Sequence, residues 1–192
     1  MISKLSKKIV NQLNILDDEQ ELYEYGFFIL LSQILYFIIA IIIGTICGTV
    51  FESIIFYIAF QFIRRYAGGY HAATETRCEI LSTLSILACI VVIKLSKTYD
   101  IQTALLIISA LSAVCIFVFC PLDTPEKPLT DKEFRYFRKI SWLILLAIVV
   151  AIIVSYIFKF KIVTVPCCLS LILESILLTV GKIKRVSQKT EC

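Results

Sequence analysis

Histidine is nearly missing from this 192-residue chain, and charge is scarce. There is one histidine, His71, and Asp, Glu, Lys and Arg together make up 18% of the residues. A lone imidazole with no carboxylates clustered around it leaves too few ligands for zinc, so a metalloprotease is excluded and no metal or other cofactor is expected. Eight cysteines are present, but no CxxC pair, which removes a dithiol redox motif. Cys47, Cys89, Cys115, Cys120, Cys167 and Cys168 fall in apolar runs, where cysteine behaves as a small hydrophobe rather than as half of a disulfide. Cys192 is the last residue and completes no C-a-a-X box. A secretory signal is not expected either, because the first apolar run begins only after more than twenty mixed residues.

What is abundant is apolar sequence: 59% of residues are hydrophobic, with a mean hydropathy of +0.89. A span needs ~20 apolar residues to cross ~30 Å of hydrocarbon. Residues 27–46, 101–120, 141–158 and 162–180 qualify outright. Residues 50–63 and 80–93 are shorter, roughly 20 Å each as helices, and are read as recessed or tilted spans. The expected fold is all-α: one polytopic membrane domain over 1–192, with about six transmembrane helices.

Lys and Arg set the orientation. With the N-terminus inside, Lys4, Lys7, Lys8, Arg64, Arg65, Arg77, Lys127, Lys132, Arg135, Arg138, Lys139, Lys182, Lys184, Arg185 and Lys189 fall on the cytosolic side. Lys94, Lys97, Lys159 and Lys161 fall outside. Both termini are then cytosolic. The net charge of +4 follows from this bias and calls for no nucleic-acid partner.

Three segments stand apart from the spans. In residues 1–17, Ile2, Leu5, Ile9, Leu13 and Leu16 share one helical stripe, opposite Lys4, Lys7, Lys8, Asn11 and Asn14. This is a basic amphipathic helix, suited to anionic lipid or to a partner helix. Asp18-x-x-Glu21 reads as the helix start leading into the first span. Residues 121–140 open with three prolines, Pro121, Pro125 and Pro128, which stop any helix. The polar stretch 130–139 then reads as a helix along the cytosolic surface ahead of Trp142. It is either a positive-inside connector or a basic patch for an acidic substrate segment, with Lys127, Lys132 and Arg135 as the binding candidates. Gly44-Thr45-Ile46-Cys47-Gly48 is a GxxxG that serves either packing within the chain or a homodimer.

The third segment, 64–79, is a polar island that holds both His71 and Cys78. Thr76-x-x-Glu79 fits a capping box, with Cys78 in the first helical turn behind it. There, helix amides and Arg77 favour the thiolate and offer an anion site for an oxyanion. Seven residues rise ~10 Å along a helix, so the chain must turn back for His71 to reach Cys78. Gly68-Gly69 supplies turn freedom. The arrangement is that of a cysteine nucleophile and its base, or else of a polar turn with a surface histidine.

Arg64-Arg65-Tyr66-Ala67-Gly68-Gly69-Tyr70-His71-Ala72, followed by Cys78 and Ser82, resembles the accessory gene regulator B family of bacterial polytopic membrane cysteine endopeptidases. The length, the amphipathic start and Lys127-Pro128-Leu129, similar to a Lys-Pro-Ile-type segment, agree with it. The resemblance implies that His71 and Cys78 are the catalytic dyad, that Arg64 is an essential upstream arginine and that Gly69 is the motif glycine. It also implies the substrate: a short quorum-sensing peptide precursor with an amphipathic helix, a central cysteine or serine and an acidic C-terminal tail. That tail is removed at the cytosolic face of the bacterial cell membrane, and the product closes into a thiolactone or lactone. The rival class is a non-catalytic peptide exporter or sensor subunit, which needs intramembrane charges lining a path. Glu52 and Glu174 are the candidates for it.

Overall fold

The structure is a computed structural model that describes residues 6, 8–10, 20–69, 75–122 and 130–190; the side chains of 75, 76 and 187–190 are outside the description. Six long helices follow one another: α1 (Gln20–Cys47), α2 (Val50–Ala67), α3 (Glu75–Thr98), α4 (Gln102–Phe119), α5 (Asp131–Ile157) and α6 (Lys161–Thr190). The fold is all-α, as expected. Five of these helices are long and apolar enough to cross a membrane. The remaining one, α2, has 18 residues and carries Glu52 in its first turn and Arg64 and Arg65 in its last. Its two ends are nonetheless tied to opposite ends of the bundle, as the contacts below show.

α6 is the hub. Every residue from Thr164 to Leu171 is buried, and α2, α4 and α5 pack around it. α1 lies outermost, against α2 and α3, with only Ala40 and Gly44 buried. The outward faces are rows of exposed Ile, Leu, Val and Phe, the surface a multi-pass protein presents to lipid. Apolar burial drives little association inside a bilayer, so close contact depends on small and polar side chains. Ser109 on α4 donates to the Cys168 thiol at 3.4 Å, and Thr164 donates to Ser155 at 2.9 Å.

Gly44 takes the first of the two GxxxG readings. A Cβ there would sit 2.7 Å from Ser53 Oγ, so this glycine lets α1 approach α2 in the same chain. Gly48 has φ +69° and makes the turn between them.

The two ends of the bundle can be told apart. At one, Lys97 reaches Glu52 at 2.6 Å and the Gly48 carbonyl at 3.0 Å, while Lys161 reaches Asp100 at 3.4 Å. At the other, Trp142 stacks on Phe117 at 4.5 Å and Lys182 lies over Phe119 at 3.7 Å. Cys78, the end of α2 and the start of α5 belong to this second end.

Several expectations change. The second and third helices are not short: α2 runs four residues past Ile63, and α3 runs from Glu75 to Thr98. Polar residues extend both helices beyond their apolar runs. Residues 131–139 do not form a separate surface helix but are the first turns of α5. A capping box of Thr130 with Glu133 starts that helix, and nothing interrupts it before Trp142. The N-terminal segment is described only at 6 and 8–10, which are helical, with Ser6 and Val10 buried and Lys8 exposed. Its inward face is thus turned away from the centre of the stripe that includes Ile9. The remaining stripe residues and Asp18 lie outside the described residues.

Candidate active site

α2 ends because its sequence runs out of residues that can continue it. Gly68 takes φ +79° and ψ −151°, and its N–H caps the Arg64 carbonyl at 3.2 Å. Gly69 follows at φ +139°. Both values suit glycine and strain any other residue.

Space makes the same demand. A Cβ on Gly68 would lie 2.6 Å from the Leu122 carbonyl oxygen, because Leu122 pairs with this turn: its N–H donates to the Ala67 carbonyl at 2.8 Å. A Cβ on Gly69 would fall on the Arg64 guanidinium. The Pro-rich loop is thereby fastened to the end of α2, just past the cis Cys120–Pro121 peptide. Tyr66 meets Phe137 at 6.1 Å between ring centres, which sets the first turns of α5 beside the same turn.

Arg64 is half-buried and faces inward. Its Nη1 donates to the Gly68 carbonyl at 2.9 Å and lies 4.0 Å from a Glu174 carboxylate oxygen on α6. Glu174 is completely buried, and neither of its oxygens accepts a hydrogen bond among the described residues. Cys120 is buried beside Ser141, within the electrostatic reach of Arg138 and Glu174.

Cys78 is a half-buried free thiol, the fourth residue of α3. The expected first-turn position holds. The expected cap does not, because the helix already includes Glu75 and Thr76 and so begins before the proposed N-cap. Arg77 is exposed. From α1, Tyr36 lies beside Ser82 and in the field of Cys78 and Glu79. His71 lies outside the described residues, as does Lys127. Lys132 and Arg135 are exposed on the first turns of α5, where Arg135 Nε donates back to the Asp131 carbonyl at 3.3 Å. Arg138 instead lies over the Trp142 ring at 4.8 Å.

Arg64 and Gly69 therefore share one turn, at the end of the bundle where Cys78 starts α3 and where Lys132 and Arg135 lie on the first turns of α5. Sequence reasoning missed the Leu122 pairing and the Glu174 partner of Arg64. A carboxylate inside an apolar run signals a hidden partner, but 110 positions separate the two residues in the chain.

The family described as Accessory gene regulator B matches residues 2–178 of this chain. An AgrB-like protein of Clostridium perfringens (strain SM101 / Type A) is 28% identical over 151 residues, covering 75% of this chain and 71% of its own length. An AgrB-like protein 2 of Clostridium perfringens (strain 13 / Type A) gives the same figures. The Accessory gene regulator protein B of Staphylococcus intermedius is 26% identical over 135 residues, covering 70% of this chain and 62% of its own length. No solved structure matches the chain.

Proposed function

Since the chain belongs to the accessory gene regulator B family, a family of quorum sensing, we propose that it is a membrane cysteine endopeptidase acting on a short peptide precursor. Cys78 attacks the scissile carbonyl. His71 takes the thiol proton and returns it to the leaving amine, so the C-terminal tail departs and an acyl-enzyme remains on Cys78. The precursor's own cysteine or serine side chain then captures the acyl group, closing a thiolactone or lactone and freeing the thiol.

The observation that carries this reading is the position of Cys78. It is a half-buried thiol in the first turn of a helix, where the positive end of the helix dipole favours a developing oxyanion. Ring closure over hydrolysis requires little competing water. Short spans do not set any recess, since neither flanking helix is short: α2 has 18 residues and α3 has 24.

The site faces the cytosol in this proposal, as do both termini, and the precursor lies on the inner leaflet with its acidic tail toward Lys127, Lys132 and Arg135. Dimerisation through Gly44 is not part of the proposal, because Ser53 of the same chain fills that face. The exporter reading loses support for a similar reason. Glu52 and Glu174, the two charges available to line a path, face cationic partners at different ends of the bundle.

The test is cleavage of the precursor by the protein in lipid vesicles. Cys78→Ala abolishes cleavage, and His71→Ala lowers its rate by ~10²–10⁴-fold, the usual worth of a positioned proton-transfer group. Replacing Cys47, Cys89, Cys115, Cys120, Cys167 and Cys168 together leaves most of the activity. Full cleavage by Cys78→Ala contradicts the proposal.

A further inference from the structure

Glu174 has no place in the reaction just described, yet it is the most expensive side chain in the bundle. It is 0% exposed, and neither carboxylate oxygen accepts a hydrogen bond among the described residues. An ionised carboxylate in such a place costs several kcal/mol unless an opposite charge faces it. The Arg64 guanidinium is that charge, 4.0 Å away. The same Nη1 donates to the Gly68 carbonyl, and the same guanidinium fills the space where any side chain at Gly69 would have to stand.

We propose that Glu174 is a positioning residue for the candidate active site: from α6 it holds the Arg64 guanidinium, which clamps the Gly68–Gly69 turn leading into His71. This rests on the reading of His71 and Cys78 as the reacting pair. The geometry explains why the group on α2 is an arginine. The rigid guanidinium holds one nitrogen, Nη1, between the Gly68 carbonyl and the Glu174 carboxylate, whereas a lysine ammonium sits on a flexible stem. It also explains why Gly69 bears no side chain. The clamp has a second tether in Leu122, whose N–H holds Ala67 at the same turn.

Two reporters test this in the full-length protein in lipid vesicles. The first is Cys78 as sole cysteine, alkylated with iodoacetamide. Arg77 and Glu79 on its own helix and Tyr36 on α1 are unchanged in every variant, so differences among variants report the turn. Glu174→Gln slows alkylation at pH 7 about tenfold, the size expected when a coupled neighbour acting through the turn is lost. Arg64→Gln does the same. The double variant loses no more than either single one, because the two residues act as one unit. Glu174→Asp keeps the carboxyl group at shorter reach and loses less.

The second reporter is Leu122→Cys in an otherwise cysteine-free protein, read with a water-soluble maleimide. Leu122 is buried beside the turn, and Glu174→Gln speeds its labelling as the turn opens locally. This reporter does not involve Cys78. If His71→Ala leaves Cys78 alkylation unchanged, the dyad reading fails and the Leu122→Cys rates alone decide the clamp. Unchanged Leu122→Cys labelling in both Glu174→Gln and Glu174→Asp overturns it.

Discussion

Glu52 and Glu174 are both carboxylates buried in a bundle that lipid surrounds, and they are held in opposite ways. Glu52, in the first turn of α2, meets Lys97 at 2.6 Å, and the lysine side chain is 48% exposed. Its pair sits at the rim, with a backbone carbonyl, that of Gly48, accepting from the same ammonium. Glu174 lies within α6 with no exposure, no hydrogen bond among the described residues and an arginine at 4.0 Å. A rim pair closes the end of a bundle at little cost. A fully buried, under-satisfied pair is poor evidence for stability, because an apolar residue in its place would serve packing better. Its place beside the Arg64 turn points instead to work done by the turn it holds. The two ends of the molecule thus differ in kind: one is stapled, the other is set.

Loss of function at the Cys78 end and tolerance at the Glu52 end is the pattern this comparison requires. The largest expected effect, after loss of the nucleophile itself, is at Gly69. Gly69→Ala places a methyl group on the Arg64 guanidinium at φ +139°, where backbone strain alone is about 1–3 kcal/mol. Cleavage should fall at least as far as in Arg64→Gln, while helix content measured by circular dichroism stays near that of the parent. Normal cleavage by Gly69→Ala would detach Arg64 from the site.

An intermediate effect is expected from the basic residues at 127–139. Neutralising Lys127, Lys132, Arg135, Arg138 and Lys139 together should raise KM for a precursor with an acidic tail and change kcat less, since these residues do not touch the reacting atoms. Each exposed cation contributes about 1 kcal/mol of surface attraction. The KM difference should shrink as salt is added, because such charges are screened beyond ~8–10 Å. Arg138 should contribute least of the five, its guanidinium being over the Trp142 ring. An unchanged KM at low salt would make this stretch a connector only.

Glu52 should give the smallest effect. Glu52→Gln removes one partner of an ion pair whose ammonium is half exposed, so water solvates the lysine left behind and the cost stays near that of a surface pair, about 1 kcal/mol. It should shift thermal unfolding by a few degrees at most and leave cleavage unchanged. A loss of cleavage as large as that of Glu174→Gln would erase the distinction between the two ends.

Much of this architecture can be read in the chain. Long apolar runs give the helices, and Lys and Arg sort their ends. Helix limits could not be read from apolarity. α2 continues through Arg64, Arg65 and Tyr66 because nothing stops a helix there until Gly68. Capping patterns were ambiguous as well. Thr76-x-x-Glu79 and Thr130-x-x-Glu133 match the same box, and the structure forms the second, where an extended Thr130 follows a Pro-rich loop. At the first, the helix has already begun. Cys78, Arg64 and Gly69 could be singled out in the sequence as candidates. What joins Arg64 to Gly69 could not, because it depends on a guanidinium folding back over its own turn and on a carboxylate 110 positions further along the chain.

The central claim is that the thiol at the set end of the bundle carries the reaction, and the most direct test is the intact mass of the protein. With Cys78 as the sole cysteine and the capturing side chain of the precursor replaced by alanine, incubation should leave an adduct on the protein. Its mass should equal the tail-less fragment less one water, it should map to Cys78, and hydroxylamine should release it as a thioester. Release of the tail with no adduct at Cys78 at any time point would contradict the account.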